Sequence, residues 1–172
     1  MRAVFLDRDG VINRKAPEGE YVTTWEEFTL LPGALQGLRL LAGSPLAIVV
    51  ATNQRGIALG RMTEADLADI HRRMREAVVE AGARIDAVYH CPHDVGCRCR
   101  KPETGMFEDA ARDLGLSLGD SAVVGDSASD MLAASRIGAV GVLIGSGSGG
   151  HADHAAPDLA EAARWLLAQM AD

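Results

Sequence analysis

The sequence predicts an α/β protein built on a doubly wound parallel sheet of the Rossmann-like kind. Three observations lead there. Five short apolar runs rich in β-branched residues occur at 4–6, 46–51, 87–90, 122–124 and 140–144. None alternates with polar residues, which is the pattern of strands covered on both faces. Segments of helical spacing separate them, and such alternation winds a parallel sheet through right-handed crossovers.

The first run stops abruptly at Asp7-Arg8-Asp9-Gly10. Side chains at i and i+2 share one side of a strand, so Asp7 and Asp9 project together at its carboxyl end, where open α/β sheets bind ligands. Two clustered carboxylates repel each other unless a cation joins them. Mg²⁺ is the hard, oxygen-loving choice, and one carboxylate can also attack phosphorus. Residues 11–29 have no clear period and read as a long loop or small flap beside that strand end. After Pro32-Gly33, an apolar stripe of Leu35, Leu38 and Leu41 marks a helix.

The second run leads into Thr52-Asn53-Gln54-Arg55-Gly56, a hydroxyl followed by a turn whose N–H groups suit phosphate oxygens. Thr63 is an N-cap for the clearest helix, with Leu67, Ile70, Met74 and Val78 at helical spacing and a stop at Gly82. His71, beside Arg72 and Arg73, receives no role, and His90 is expected to point away from the site as a strand residue. Arg100-Lys101-Pro102 precedes a helix marked by Met106, Ala110, Leu114 and Gly115. Lys101 is a point charge able to neutralise a transferring phosphoryl group. The fourth run ends in Gly125-Asp126-Ser127-Ala128-Ser129-Asp130. Asp126 would complete a metal site and Asp130 would orient it one helical turn later. Met131, Ala134 and Ile137 continue a helix closed by Gly138. Residues 145–150 have a flexible-loop composition, His151 and His154 read as solvated, and Leu159, Ala162, Ala163 and Leu166 mark a last helix.

Each polar segment has a plainer reading: Thr-Asn-Gln is common in loops, Arg-Lys is usually a solvated pair, and Asp-Ser-Ala-Ser-Asp is a good helix N-cap. What argues against coincidence is their order, each at the carboxyl end of a strand.

Cys91, His93, Cys97 and Cys99 place four soft or borderline ligands within nine residues. Three thiolates and an imidazole make a closed tetrahedral Zn²⁺ set with no open position for catalysis. An odd, tightly clustered set of three cysteines is a poor disulfide framework. Zinc would pin this loop just ahead of Arg100 and Lys101.

The length of 172 residues predicts a single domain spanning 1–172. A net charge of −7 disfavours nonspecific nucleic-acid binding, and no run approaches the length of a membrane span. The few residues before Asp7 are too short for a secretory signal, so the cytoplasm is the expected location. No heptad is present, and a monomer is expected.

Asp7-x-Asp9-Gly10, Thr52, Lys101 and Gly125-Asp126-x-x-x-Asp130 resemble, in order, the four motifs of the haloacid dehalogenase superfamily of aspartyl-phosphate phosphotransferases. That resemblance implies Asp7 as nucleophile and Asp9 as the acid that protonates the leaving alcohol, then the base that activates water. Asp7, Asp126 and the main-chain carbonyl of Asp9 would hold Mg²⁺, and Thr52 and Lys101 the phosphoryl oxygens. The Cys-Pro-His and Cys-x-Cys-Arg-Lys-Pro segments resemble the D-glycero-D-manno-heptose 1,7-bisphosphate 7-phosphatase group and the related histidinol-phosphate phosphatases. Thr52-Asn53-Gln54-x-Gly56-Ile57-Ala58 and Tyr21-Val22, with Phe28, are closer to the heptose enzymes. This implies a role in carbohydrate metabolism: removal of the 7-phosphate from a small phosphorylated sugar. Arg100 would recognise the substrate, and Asn53, Gln54 and Arg55 would lie in the substrate-contacting turn.

Two departures bear on specificity. Only three residues separate His93 from Cys97, fewer than is usual in the heptose enzymes, which leaves less wall around a substrate. Ser127 stands where many relatives carry Lys, which removes one candidate phosphate contact. The interval between Asp7 and Thr52 is 44 residues and must hold a helix, so no large cap domain fits; residues 13–25 and the zinc loop are left to cover the site. The competing readings are a histidinol-phosphate phosphatase, a phosphatase of nucleotides or nucleic-acid ends, and a zinc-stabilised module that merely binds Mg²⁺.

Overall fold

The computed structural model describes residues 2–147 and 150–169. Six strands, β1 (Ala3–Leu6), β2 (Ala47–Asn53), β3 (Ala87–Cys91), β4 (Ala122–Gly125), β5 (Val140–Ile144) and β6 (His154–Ala156), form one sheet in the order β3-β2-β1-β4-β5-β6. Every adjacent pair is parallel. Strand alternation divides the core in two. Val4, Leu6, Ile48, Val50, Val124 and Val142 face α1 (Ala34–Ala42), α2 (Glu64–Glu80) and α5 (Leu159–Gln169). Ala3, Phe5, Val49 and Val123 face α3 (Gly105–Leu114) and α4 (Ala128–Arg136). The expected stripe of α2 is buried, and each of Leu67, Ile70, Met74 and Val78 contributes about 1.5–3 kcal/mol by leaving water. Thr63 caps α2 in a reciprocal box with Asp66. No described helix is long and apolar enough to cross a membrane.

Four expectations need correction. β2 runs on through Thr52 to Asn53, because β3 lies alongside and pairs Thr52 with His90 and Asn53 with Cys91. β3 is an edge strand, mostly half-buried rather than covered on both faces. A sixth strand, missed because His154-Ala155-Ala156 is short and not β-branched, pairs with β5. His154 therefore lies in the sheet, its ring stacked on Trp165 at 4.2 Å, instead of in a solvated loop. Of the segment 145–150, Ser148 and Gly149 lie outside the described residues.

The order places the functional segments. From β1 the chain builds to one side through β2 and β3, then crosses to β4, β5 and β6 on the other. The reversal leaves a crevice at the carboxyl ends of β1 and β4, the point where such sheets take ligands. Asp7 sits in it, its N–H donating to the carbonyl of Val124 at 2.9 Å.

Candidate active site

Four strand ends deliver the polar residues to this crevice. β1 supplies Asp7 and Asp9, β2 supplies Thr52, Asn53 and Gln54, the segment after β3 supplies Arg100 and Lys101, and the turn after β4 supplies Asp126 and Asp130. The chain turns sharply at Gly10, where φ is +89° and a Cβ would collide with the Asp126 carboxylate. Only glycine lets the two acidic segments approach this closely.

Lys101 is buried at the centre. Its Nζ donates to the carbonyl of Ala51 at 2.8 Å and pairs with Asp7 Oδ1 at 3.0 Å and Asp130 Oδ1 at 2.7 Å. Burial opposes its charge, but Asp130 and Asp7 outweigh that and hold its pKa above the ordinary lysine value. Asp130 serves two ends: its Oδ2 accepts from the Ser127 N–H and hydroxyl, capping α4, while Oδ1 faces Lys101. It thus closes the capping box of α4 from N3, with Ser127 as the N-cap, while its other oxygen faces the buried lysine.

Asp7 and Asp9 occupy different environments despite their spacing. Asp7 Oδ1 accepts the Arg8 N–H at 2.8 Å and Lys101. Burial pushes Asp7 up to about 7 against the pull of Lys101, with Asp130, Asp9 and Asp126 adding repulsion. Asp9 is also desolvated, yet the Arg8 guanidinium and hydrogen bonds from Asn13, Arg8 and Gln54 outweigh this and hold its carboxyl below the ordinary range. The donors are Arg8 Nη2 at 2.9 Å, Asn13 Nδ2 at 2.9 Å and Gln54 Nε2 at 3.0 Å.

Oxygens of Asp7, Asp126 and Asp130 lie within 4.8 Å of one another, and Asp126 Oδ1 is buried without a hydrogen-bond partner. Three carboxylates facing one buried ammonium leave surplus negative charge, and an orphaned buried oxygen fits a hard cation. The Asp9 carboxylate is not in this group, its oxygens being engaged by Arg8, Asn13 and Gln54, so the Mg²⁺ expectation concerns its main-chain carbonyl.

The site opens into a cavity of about 330 Å³ walled by Lys15–Val22, Asn53, Gln54, Arg55, Arg100 and Ser129. The flap expected at 13–25 is thus its near wall, whereas from the cysteine loop's side the wall is made by Arg100 and Lys101. Gln54 is nearly buried and donates its amide to Asp9 and to Thr52 Oγ1, so it holds catalytic candidates more than it faces solvent. Asn53 grips Lys101, accepting from its N–H at 2.9 Å and donating to its carbonyl at 3.2 Å. Arg55 pairs with Asp94 of the cysteine loop at 2.6 Å. One guanidinium nitrogen of Arg100, Nη1, is buried without a partner. Lys15, on the flap, reaches Asp126 Oδ2 at 3.2 Å.

The sequence motifs give no role to Arg8, Asn13, Lys15 or His71. A signal existed for His71, which falls four residues after Leu67 and three before Met74 on the buried stripe of α2. His90, beyond it, pairs with Glu64 at 2.8 Å.

Beyond β3, the ligand atoms of Cys91, His93, Cys97 and Cys99 lie within 4.8 Å of one another. All three cysteines are free, and the Cys91–Cys99 sulfur separation of 2.8 Å is too long for a disulfide bond. Burial raises the Cys97 thiol, but N–H groups of Arg100 and Cys99 outweigh it and bring the pKa to about 6. A preformed set of three sulfurs and a ring nitrogen fits a structural tetrahedral metal.

A parallel sheet without a large cap, carrying an Asp-x-Asp turn, a buried lysine and a second acidic pair at its switch point, defines a haloacid-dehalogenase-like phosphatase. A family model described as HAD-hydrolase-like matches residues 98–171. The D-glycero-beta-D-manno-heptose-1,7-bisphosphate 7-phosphatase of Bordetella bronchiseptica is 40% identical over 151 residues, covering 87% of this chain and 83% of that protein. The D-glycero-alpha-D-manno-heptose-1,7-bisphosphate 7-phosphatase of Mycobacterium bovis is 41% identical over 161 residues, with 87% and 83% coverage. A crystal structure of D,D-heptose 1,7-bisphosphate phosphatase from B. bronchiseptica, complexed with magnesium and phosphate, superposes with a TM-score of 0.89 at 37% identity over 98% of this chain and 99% of that one. The chain belongs to the HAD-like hydrolases and, within them, resembles the heptose bisphosphate 7-phosphatases.

Proposed function

We propose that the protein is a Mg²⁺-dependent phosphomonoesterase that removes the 7-phosphate of D-glycero-D-manno-heptose 1,7-bisphosphate through an aspartyl-phosphate on Asp7. The observation that carries this reading is the convergence of Asp7, Lys101, Asp126 and Asp130 in one crevice with Asp9 beside them. Asp7, Asp126 and the carbonyl of Asp9 would hold Mg²⁺, which when bound offsets the charge of the phosphoryl oxygens.

The two Asp7 oxygens differ. Oδ1 carries both the Arg8 N–H and Lys101, which leaves Oδ2, among the described residues, without a protein donor. Oδ2 attacks phosphorus and the bond from phosphorus to the sugar oxygen breaks, while Asp9 delivers a proton to that oxygen. An arriving phosphate brings negative charge beside Asp9 and raises its affinity for that proton. Asp9 then takes a proton from water, which attacks the phosphoryl group and frees Asp7 and inorganic phosphate. Lys101 and Thr52 hold phosphoryl oxygens in both steps.

The cavity is large enough for a sugar bisphosphate, and the unpaired Arg100 nitrogen and Arg55 offer charge to its second phosphate. Zinc on Cys91, His93, Cys97 and Cys99 would fix the approach of Arg100 to this cavity. Relatives acting on alpha and beta anomers are equally similar in sequence, so the anomer is tested directly. In a panel of both heptose bisphosphate anomers, histidinol phosphate and a nucleoside monophosphate, the expected result is the highest kcat/KM on a heptose bisphosphate. Asp7→Asn should abolish turnover on every substrate with an unchanged circular dichroism spectrum. Preference for histidinol phosphate would overturn the substrate assignment, and normal turnover by the Asp7 variant would overturn the mechanism.

A further inference from the structure

Arg8 lies between the two active-site aspartates in sequence, yet it has no solvent-accessible surface and takes no part in lining the cavity. Its guanidinium stands behind Asp9. Nη2 donates to Asp9 Oδ1 at 2.9 Å, and Nη1 donates to His71 Nε2 on α2 at 3.2 Å. The Phe28 ring lies 5.8 Å from its Cζ, and Nε has no partner. A guanidinium keeps its charge and cannot accept, so His71 Nε2 must offer its lone pair and the imidazole must be neutral. Burial, with Arg8 adding to it, pushes the His71 pKa down to about 3, in agreement with a neutral ring.

A charge that cannot be shed is a costly filler for a core, and an apolar side chain would pack this space without the desolvation. What Arg8 adds is direction. Asp9 Oδ1 is fixed by Arg8 and Asn13, and Oδ2 by Gln54, so the carboxylate plane is defined from three sides. The guanidinium plane is in turn fixed by the α2 histidine.

We propose that Arg8, backed by His71, is a positioning residue for the proton carrier, holding the Asp9 carboxylate at the angle from which it meets the leaving oxygen. This rests on the assignment of Asp9 as acid and base. The consequence is selective. A strongly basic alkoxide cannot leave without a proton, whereas a weakly basic phenolate can, so misplacing the acid penalises alkyl phosphates far more than aryl phosphates. The comparison uses kcat/KM, which covers the steps through phosphoryl transfer to Asp7.

His71 variants carry the test, since removing the Arg8 charge itself also disturbs the core. With Mg²⁺ present, His71→Leu should lose roughly tenfold or more in kcat/KM on D-glycero-D-manno-heptose 1,7-bisphosphate and no more than about twofold on 4-nitrophenyl phosphate. His71→Gln, whose amide oxygen can accept from Arg8, should restore most of the loss. Equal losses on both substrates, or no loss on either, would overturn the positioning role. Asp9→Asn is the control. If it retains full kcat/KM on the heptose bisphosphate, the assignment of Asp9 itself fails and the role of Arg8 falls with it; if it is inactive there while His71→Leu behaves as wild type, only the positioning proposal fails.

Discussion

At the scale of residues, the site separates two carboxylates that the sequence places as a pair. Asp7 is desolvated among like charges, and Asp9 is held by donors. The same physics reaches the fold through His71. Its folded pKa of about 3 lies below the ordinary 6.5, so the unfolded chain binds the proton first. Stability from the buried neutral ring is therefore fully present above pH 6.5 and is lost as the pH falls toward 3. Denaturant titrations should show wild type losing about 1–2 kcal/mol more than His71→Gln between pH 6.5 and about pH 5. Parallel losses in the two proteins would show that the ring titrates normally in the folded state.

At the scale of elements, the covered strands are the most legible in the sequence, β5 as well as those that lead into the site. β1, β2 and β4 are apolar runs stopped by acids or Thr52, and the inner position of each removes any need for polar alternation. The edges were harder. β3 reads as a covered strand although it is half-exposed, and β6 is too short to stand out without β5 beside it. Within the site, the motif residues could be read from order alone. Arg8 could not, because its partner His71 comes from α2, 63 residues away. The cysteine loop is an element of its own, for its composition predicted a cluster that the fold assembles. Cys97→Ser should release about one equivalent of zinc by elemental analysis and lower the unfolding midpoint, with a smaller effect on 4-nitrophenyl phosphate turnover. Unchanged metal content would remove zinc from this loop.

At the scale of the whole molecule, the net charge of −7 opposes the approach of an anionic substrate, and the cavity answers it locally with Lys15, Arg55 and Arg100. The carboxylates beneath repel one another, and a dication would relieve that repulsion. If the proposed Mg²⁺ site holds, Mg²⁺ at about 100 times its dissociation constant would stabilise the folded chain by ~2.7 kcal/mol, which for a protein of this size would raise the thermal midpoint by roughly 5–10 °C. Asp126→Asn should lose most of that rise in a thermal-shift assay; an undiminished rise would place the cation elsewhere. Asn53 carries a different consequence. Its backbone pairs with Cys91, where the cysteine loop begins, and its side chain holds both main-chain groups of Lys101, where the loop ends. One residue thus ties off the excursion like the knot of a purse, and whatever lies between can lengthen or shrink without shifting the lysine.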